Sequence, residues 1–190
     1  MRRKEKVPWQ RIKSHILYKG IMSDFHLDEV RAPKGELRDY MYVDMAPGSR
    51  IVAITNQNEI ILIKEFRYPI QEFILMLPGG AMEKDTPLAA AKRELHEETG
   101  YKAKKWKFLG KHRAAHSMTS SADNVFLASE LVYTGRGKDM DKEGIQKLVK
   151  LPIKDALKKI KNGEIHCAHT VTGIILALIE LKAIKSGSAK

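Results

Sequence analysis

Between Pro78 and Tyr101 the sequence ties a glycine turn, Pro78-Gly79-Gly80, to a helix-forming run that carries Glu94, Glu97 and Glu98. No other stretch restricts the fold so tightly. Thr86-Pro87 supplies an N-cap and a proline at the first helical position. Gly100 supplies a left-handed stop. The pattern predicts a helix from Pro87 to about Thr99 that turns Leu88, Ala91 and Leu95 into a core. At about 100° per residue, the three glutamates share a sector about 100° wide. Like charges so close raise one another's pKa values unless a cation sits among them. Hard carboxylate oxygens select Mg²⁺ or Mn²⁺. The segment therefore reads as a metal site serving phosphate chemistry, with glycines that let backbone approach a ligand.

The rest of the chain alternates strand and turn signals. Residues 1–14 are polar and read as a loose arm. Ile16/Tyr18, Phe25/Leu27/Val30 and Leu37/Tyr40/Tyr42, with a turn at Ala32-Pro33-Lys34-Gly35-Glu36, predict a small antiparallel sheet. Arg50–Thr55 and Glu59–Phe66 are β-branched runs around Asn56-Gln57-Asn58, a predicted hairpin. Phe73–Leu77, Trp106–Gly110, Val125–Tyr133 and Ile145–Leu151 are further strands, with polar loops at 113–124 and 134–144. Helices are expected over Pro152–Lys161 and from about Ala168 to Lys185, the latter with a stripe of Val171, Ile174, Ile175, Leu178 and Leu181. Strands interleaved with about three helices indicate an α/β (α+β) sandwich. We expect an N-terminal arm and small β region over 1–45 and a main domain over 46–190.

Charge sharpens the functional reading. The net charge of +11 invites a nucleic-acid partner, yet its distribution points elsewhere. Lys and Arg dominate residues 1–20 and 142–190, whereas acids outnumber bases over 79–100. An acidic patch in a basic chain suits a cation site surrounded by surface that attracts anions. No aromatic-rich RNA-binding motif is present, so nucleic acid is not the expected partner. The longest apolar stretch, around Ile174–Ile179, is too short for a membrane span. The basic start Met1-Arg2-Arg3-Lys4-Glu5-Lys6 leads to no apolar signal region. Cys167 is the only cysteine, which excludes an internal disulfide and fits a cytoplasmic location. The histidines show no zinc-like spacing, and His166 and His169 read as marking a helix start.

Read from Gly79, the segment gives Gly-x5-Asp-x7-Arg-Glu-Leu-x-Glu-Glu-x-Gly-Tyr. This resembles the Nudix box, Gly-x5-Glu-x7-Arg-Glu-U-x-Glu-Glu-x-Gly-U with U apolar; Asp85 replaces the one fixed residue that differs. In that family the replaced glutamate supports the arginine, here Arg93. The resemblance implies a Nudix-type α/β/α sandwich with a mixed sheet, preceded here by the small antiparallel region. It implies Glu94 and Glu98 as principal Mg²⁺ ligands, Glu97 as a further ligand or water holder, and the Gly79 carbonyl as a backbone ligand. Glu97, Glu98, Glu143 and Arg93 are the expected catalytic group.

The run Ile63-Lys64-Glu65-Phe66-Arg67-Tyr68-Pro69, with Glu72 and Leu77-Pro78-Gly79-Gly80, is similar to the ADP-ribose and nucleotide-sugar pyrophosphatase branch. That likeness implies Arg67 on the substrate diphosphate or ribose, and Arg38 reaching substrate, sometimes across a dimer. It also implies aromatic groups from the N-terminal sheet, with Trp9, Tyr18 and Phe25 as candidates for base contact or as plain interface residues. Glu143, in Asp141-Lys142-Glu143-Gly144-Ile145, falls where the family often keeps a glutamate that orients or deprotonates water. The branch departs at Met76, where a glutamate is common, and at His116-Ser117-Met118-Thr119-Ser120-Ser121, which lacks a usual proline. His116 and Ser120 are read as sugar contacts or as an ordinary polar loop. The expected activity is Mg²⁺-dependent cleavage of nucleoside diphosphate sugars, ADP-ribose and GDP-mannose included, by a homodimer. The competing readings are another Nudix substrate (dinucleoside polyphosphate, NADH or an RNA cap) and a nucleotide-binding module without catalysis.

Overall fold

A computed structural model describes residues 7–183. The chain divides into two compact units, one reaching Ala46 and including Ala115–Ser121, the other holding Pro47–Ala114 and the chain from Ala122 onward.

In the first unit, β1 (Gln10–Lys19), β2 (Ser23–Arg31) and β3 (Leu37–Met45) form an antiparallel sheet in that order. Gly35, at φ 99°, closes the β2–β3 turn with its N–H on the Ala32 carbonyl. Residues 115–121 join this sheet: Thr119 bridges Val43, and Tyr40 donates its hydroxyl hydrogen to the Ser117 carbonyl at 3.0 Å. The expected loose arm is shorter than the sequence suggested, because a strand begins at Gln10. Polar and basic residues do not prevent a strand at a sheet edge, where one row of backbone groups faces water and lysines discourage further pairing. Residues 1–6 of the arm lie outside the described residues.

The second unit is built on a mixed six-stranded sheet. β4 (Gly48–Ile54), β5 (Glu59–Arg67), β6 (Glu72–Met76), β7 (Tyr101–His112) and β8 (Asp123–Tyr133) run in the order β6-β5-β4-β8-β7, and β9 (Ile145–Pro152) pairs with β5. β4 and β8 are parallel; the other pairs are antiparallel. β4 alternates Ile51 and Ala53 toward one face with Val52 and Ile54 toward the other. With both faces covered, strands of this kind carry apolar runs instead of an apolar–polar alternation.

One face packs on α1 (Pro87–Thr99) through Ile51, Ala53, Ile61, Ala91, Leu95, Phe126 and Ala128. The other packs on α2 (Ala156–Lys161) and α3 (Ala168–Glu180) through Val52, Leu62, Leu77, Val125, Ala156, Ile174 and Leu178. Each fully buried Ile or Leu contributes on the order of 1.5–3 kcal/mol, so the sandwich holds α1 rigidly against the sheet. Two expectations are corrected. Leu88 is 36% exposed and faces solvent, not the core. The last helix stops at Glu180, not Lys185: Lys182 takes a left-handed φ of 55°, and the Ala183 N–H turns back onto the Leu178 carbonyl. Among the described residues no helix is long and apolar enough to cross a membrane.

Candidate active site

The site grows from the junction of β6 and α1. The Pro78-Gly79-Gly80 turn is stitched to β4: Ser49 N–H donates to the Gly80 carbonyl and Ile51 N–H to the Pro78 carbonyl, both at 2.9 Å. Gly79 has φ 144°, and a Cβ there would lie 2.1 Å from the Ser49 carbonyl oxygen. A Cβ on Gly80 would lie 2.5 Å from Glu94 Oε1. The glycines thus allow the turn to touch both β4 and the helix carboxylates. The helix begins with Thr86 accepting from the Ala89 N–H, and ends with the Gly100 N–H on the His96 carbonyl at φ 73°.

α1 aims its acids at this turn. Glu98, 3% exposed, accepts the Gly79 N–H at 2.7 Å. Glu94, 7% exposed, accepts from Arg93 Nη1 at 2.7 Å. Glu97 accepts from Arg93 Nη1 at 3.2 Å and pairs with Lys138 Nζ at 2.7 Å. Arg93 also reaches Asp85 Oδ2 through Nε and the Ala81 carbonyl through Nη2, each at 3.3 Å. The shorter Asp85 therefore still braces the arginine, helped by the Glu83 N–H donated to its Oδ1. Burial works against the Arg93 charge, but Glu94, Glu97 and Asp85 outweigh it and hold its pKa up.

Two further carboxylates meet this group. Glu143, in the loop before β9, lies close enough to Glu98 for the two carboxyl groups to interact. Gly144 beside it anchors the loop by accepting the Phe66 N–H at 3.3 Å. Glu65 on β5 is buried and lies close enough to Glu143 for the two charges to interact. Burial raises the Glu98 pKa well above the carboxylate range; the Gly79 N–H opposes this, and Glu94 and Glu143 add to it. Burial also raises Glu94, against Arg93, with Glu143 and Glu97 adding. Glu65 is raised by burial, against Arg67. Converging oxygen donors whose charges repel fit a hard divalent cation, which supplies the missing positive charge.

Other predicted residues occupy diverse surroundings. Arg67 pairs with Glu65 at 2.8 Å and touches Met76 Sδ at 3.3 Å through Nε. The Gly79 carbonyl, an expected metal ligand, accepts from Arg50 Nη1 at 2.5 Å. Arg38, Trp9, His116 and Ser120 belong to the first unit. There Arg38 pairs with Glu36 at 3.8 Å, Trp9 meets the Tyr40 ring edge-on, His116 is exposed, and Ser120 bonds Asp44 and the Met45 N–H. Tyr18 and Phe25 stack edge-to-face within the same sheet.

Sequence reasoning missed Glu65 and Arg50. The signal for Glu65 was an acid close to the end of an apolar strand run; Arg50 carried none. His169 was read only as a helix-start residue, yet its Nδ1 lies 2.5 Å from Asp123 Oδ2 and 3.0 Å from His112 Nε2. Burial and His169 lower the His112 pKa, against Asp123. Asp123 is pushed up by burial but held low overall by His169 and Arg50.

Comparison with known proteins agrees with this geometry. A family model described as NUDIX domain matches residues 45–167. An ADP-ribose pyrophosphatase of Bacillus subtilis (strain 168) is 32% identical over 167 residues, covering 86% of this chain and 89% of that protein. A GDP-mannose pyrophosphatase of Yersinia pestis (strain Pestoides F) is 29% identical over 140 residues, covering 67% and 69%. A crystal structure of an ADP compounds hydrolase superposes with a TM-score of 0.81 at 22% identity, covering 95% of this chain and 98% of that one, which establishes a shared fold.

Proposed function

The chain belongs to the NUDIX domain family, and on that premise we propose that it hydrolyses the diphosphate of nucleoside diphosphate sugars, ADP-ribose and GDP-mannose among them, with Mg²⁺. The observation that carries this reading is that Glu94 and Glu98 are held against the Gly79–Gly80 turn, with Glu143 near both of them and Glu65 near Glu143. A protein that only bound nucleotide would gain nothing from buried carboxylates that repel one another and the substrate phosphates.

In this reading Glu94 and Glu98 hold the metal, with Glu97 and the Gly79 carbonyl as further donors. When bound, the metal withdraws charge from the diphosphate and acidifies water. Glu143 takes the proton from the attacking water onto its carboxylate. The water oxygen bonds to phosphorus and the bridging oxygen leaves, giving a nucleoside monophosphate and a sugar phosphate. Arg93 braces Glu94 and Glu97. Arg67 offers a planar fork to the diphosphate, leaving its pair with Glu65 to do so.

Arg38, Trp9, His116 and Ser120 are assigned to the base and sugar on the likeness of the sequence to the nucleotide-sugar pyrophosphatase branch. The exposed Ile16, Leu17 and Met41 of the small sheet support a homodimer, and the lone Cys167 supports a cytoplasmic setting. The test is to incubate the full chain and Mg²⁺ with ADP-ribose, GDP-mannose, other nucleoside diphosphate sugars, diadenosine polyphosphates and capped RNA. Preferential cleavage of the sugar nucleotides is expected. Binding without cleavage across the set would overturn the proposal in favour of a binding module.

A further inference from the structure

His112 closes β7, Asp123 opens β8 directly opposite it in the antiparallel ladder, and His169 lies in the first turn of α3. None of the three enters the chemistry above. Their donor atoms lie within 4.8 Å of one another. His169 Nδ1 is 2.5 Å from Asp123 Oδ2 and 3.0 Å from His112 Nε2. The other oxygen of Asp123 faces Arg50 Nε at 3.6 Å, which leaves Oδ2 for the imidazoles.

Hydrogen placement at this cluster is frustrated. His169 Nδ1 can carry one hydrogen, and Asp123 Oδ2 claims it. His112 Nε2 must then turn a lone pair toward that same hydrogen, because its own N–H would collide with it. The remaining hydrogen of His112 sits on Nδ1, which is buried without a hydrogen-bond partner. If His112 carries its hydrogen on Nε2 instead, His169 must present a lone pair to both neighbours, which sets it against the Asp123 carboxylate. Three electron-pair donors thus converge on a single hydrogen. A cation in place of that hydrogen satisfies all three at once.

We propose that His112, Asp123 and His169 bind a divalent transition-metal ion, zinc by the donor set, at a site that shares no ligand with the glutamates of α1. Two imidazole nitrogens and one carboxylate oxygen are borderline donors that suit zinc, whereas all-oxygen sets suit magnesium. Donors at the usual zinc bond lengths stand about 3.3 Å apart in a tetrahedron. The observed 3.0 Å and 2.5 Å need to open by less than about an ångström. Three protein ligands leave the fourth position to water. The ion ties the start of α3 to the β7–β8 ladder, and through Asp123 it neighbours Arg50, whose Nη1 holds the Gly79 carbonyl.

The test is zinc titration of the full chain carrying Glu94→Gln and Glu98→Gln, so that the carboxylate site does not compete. One zinc per chain is expected, with imidazole ¹⁵N shifts at two of the seven histidines and a rise in Tm on the order of 5–10 °C at a hundredfold excess over Kd. His112→Ala or His169→Ala in the same background should abolish the stoichiometric event. If either variant fails to fold, the ¹⁵N shifts of the parent protein decide: shifts confined to His112 and His169 support the site. No zinc bound, zinc retained by both folded histidine variants, or shifts at other histidines would overturn it.

Discussion

Gly80→Ala separates the catalytic role of the carboxylate cluster from its structural role. An alanine Cβ at this position lies 2.5 Å from Glu94 Oε1 and 2.7 Å from its Cδ, whereas ordinary contact begins at 3.4 Å. The Glu94 carboxylate must therefore retreat by about 0.9 Å, the difference between 3.4 and 2.5 Å. That retreat is inexpensive for the fold, because the obstacle is the far end of a flexible side chain. The reduced backbone freedom of the unfolded alanine chain returns about 0.4–1 kcal/mol, so stability should change by no more than about 1 kcal/mol. The chemistry is less tolerant: misplacing a catalytic group by an ångström costs about 10²-fold, near 3 kcal/mol of barrier. Steady-state kinetics on ADP-ribose, a Mg²⁺ titration and a thermal melt should show a hundredfold lower kcat, a weaker metal response and a near-normal Tm. Wild-type kcat and metal dependence in a folded Gly80→Ala protein would refute the placement of Glu94 at the reacting centre. Gly79→Ala is the contrasting case. Its Cβ meets the Ser49 carbonyl at 2.1 Å from a φ of 144°, so loss of stability should accompany any loss of activity.

Other outcomes follow from the same geometry. Glu143→Gln should lower kcat by about 10²–10⁴-fold with KM little changed, as expected for loss of a general base; near-normal turnover in the kinetic assay would remove Glu143 from the mechanism. Glu65, Glu94 and Glu98 have pKa values raised above the ordinary 4.5. The native state then holds more protons than the unfolded one, so the stability these groups contribute is complete below that value and falls as pH rises through their folded pKa values. Melts in EDTA should therefore show Tm dropping as pH is raised from about 4.5, and Mg²⁺ should offset the drop; a metal-free profile that rises over that range would contradict the burial. Leu95→Ala, fully buried between α1 and the sheet, should cost about 2–5 kcal/mol in denaturant unfolding, whereas exposed Leu88→Ala should cost less than about 1 kcal/mol.

The parts of the fold most legible in the sequence are those whose signals are local. Thr86-Pro87 and Gly100 bound α1 because capping is decided within one turn. Glu94, Glu97 and Glu98 share a face because helical spacing leaves no alternative. Glu143 could be placed only through likeness to a family, since nothing in its own loop fixes where it points. Glu65 is hidden because a strand's last acid looks solvent-facing, and only the β5–β9 pairing and the Gly144 contact bring it beside Glu143. His112, Asp123 and His169 are illegible for the same reason: ladder register joins the first two, and the packing of a distant helix adds the third. The strand at Gln10 was missed because edge strands need little apolar content. Residues 115–121 read as a loop of the main domain, and only the Thr119–Val43 bridge shows that they complete the small sheet.

The function turns on whether the buried carboxylates of α1 run a metal-dependent hydrolysis. ³¹P NMR of ADP-ribose incubated with the wild-type chain and with Glu98→Gln, each with Mg²⁺ or EDTA, tests this directly. Glutamine at 98 keeps one oxygen for the Gly79 N–H and replaces the other with an NH2 group that cannot ligate a metal. The account predicts AMP and ribose 5-phosphate from the wild type with Mg²⁺, none in EDTA, and a rate at least about 10²-fold lower from a folded Glu98→Gln protein. Cleavage that persists in EDTA, or a Glu98→Gln protein as fast as wild type, would contradict it.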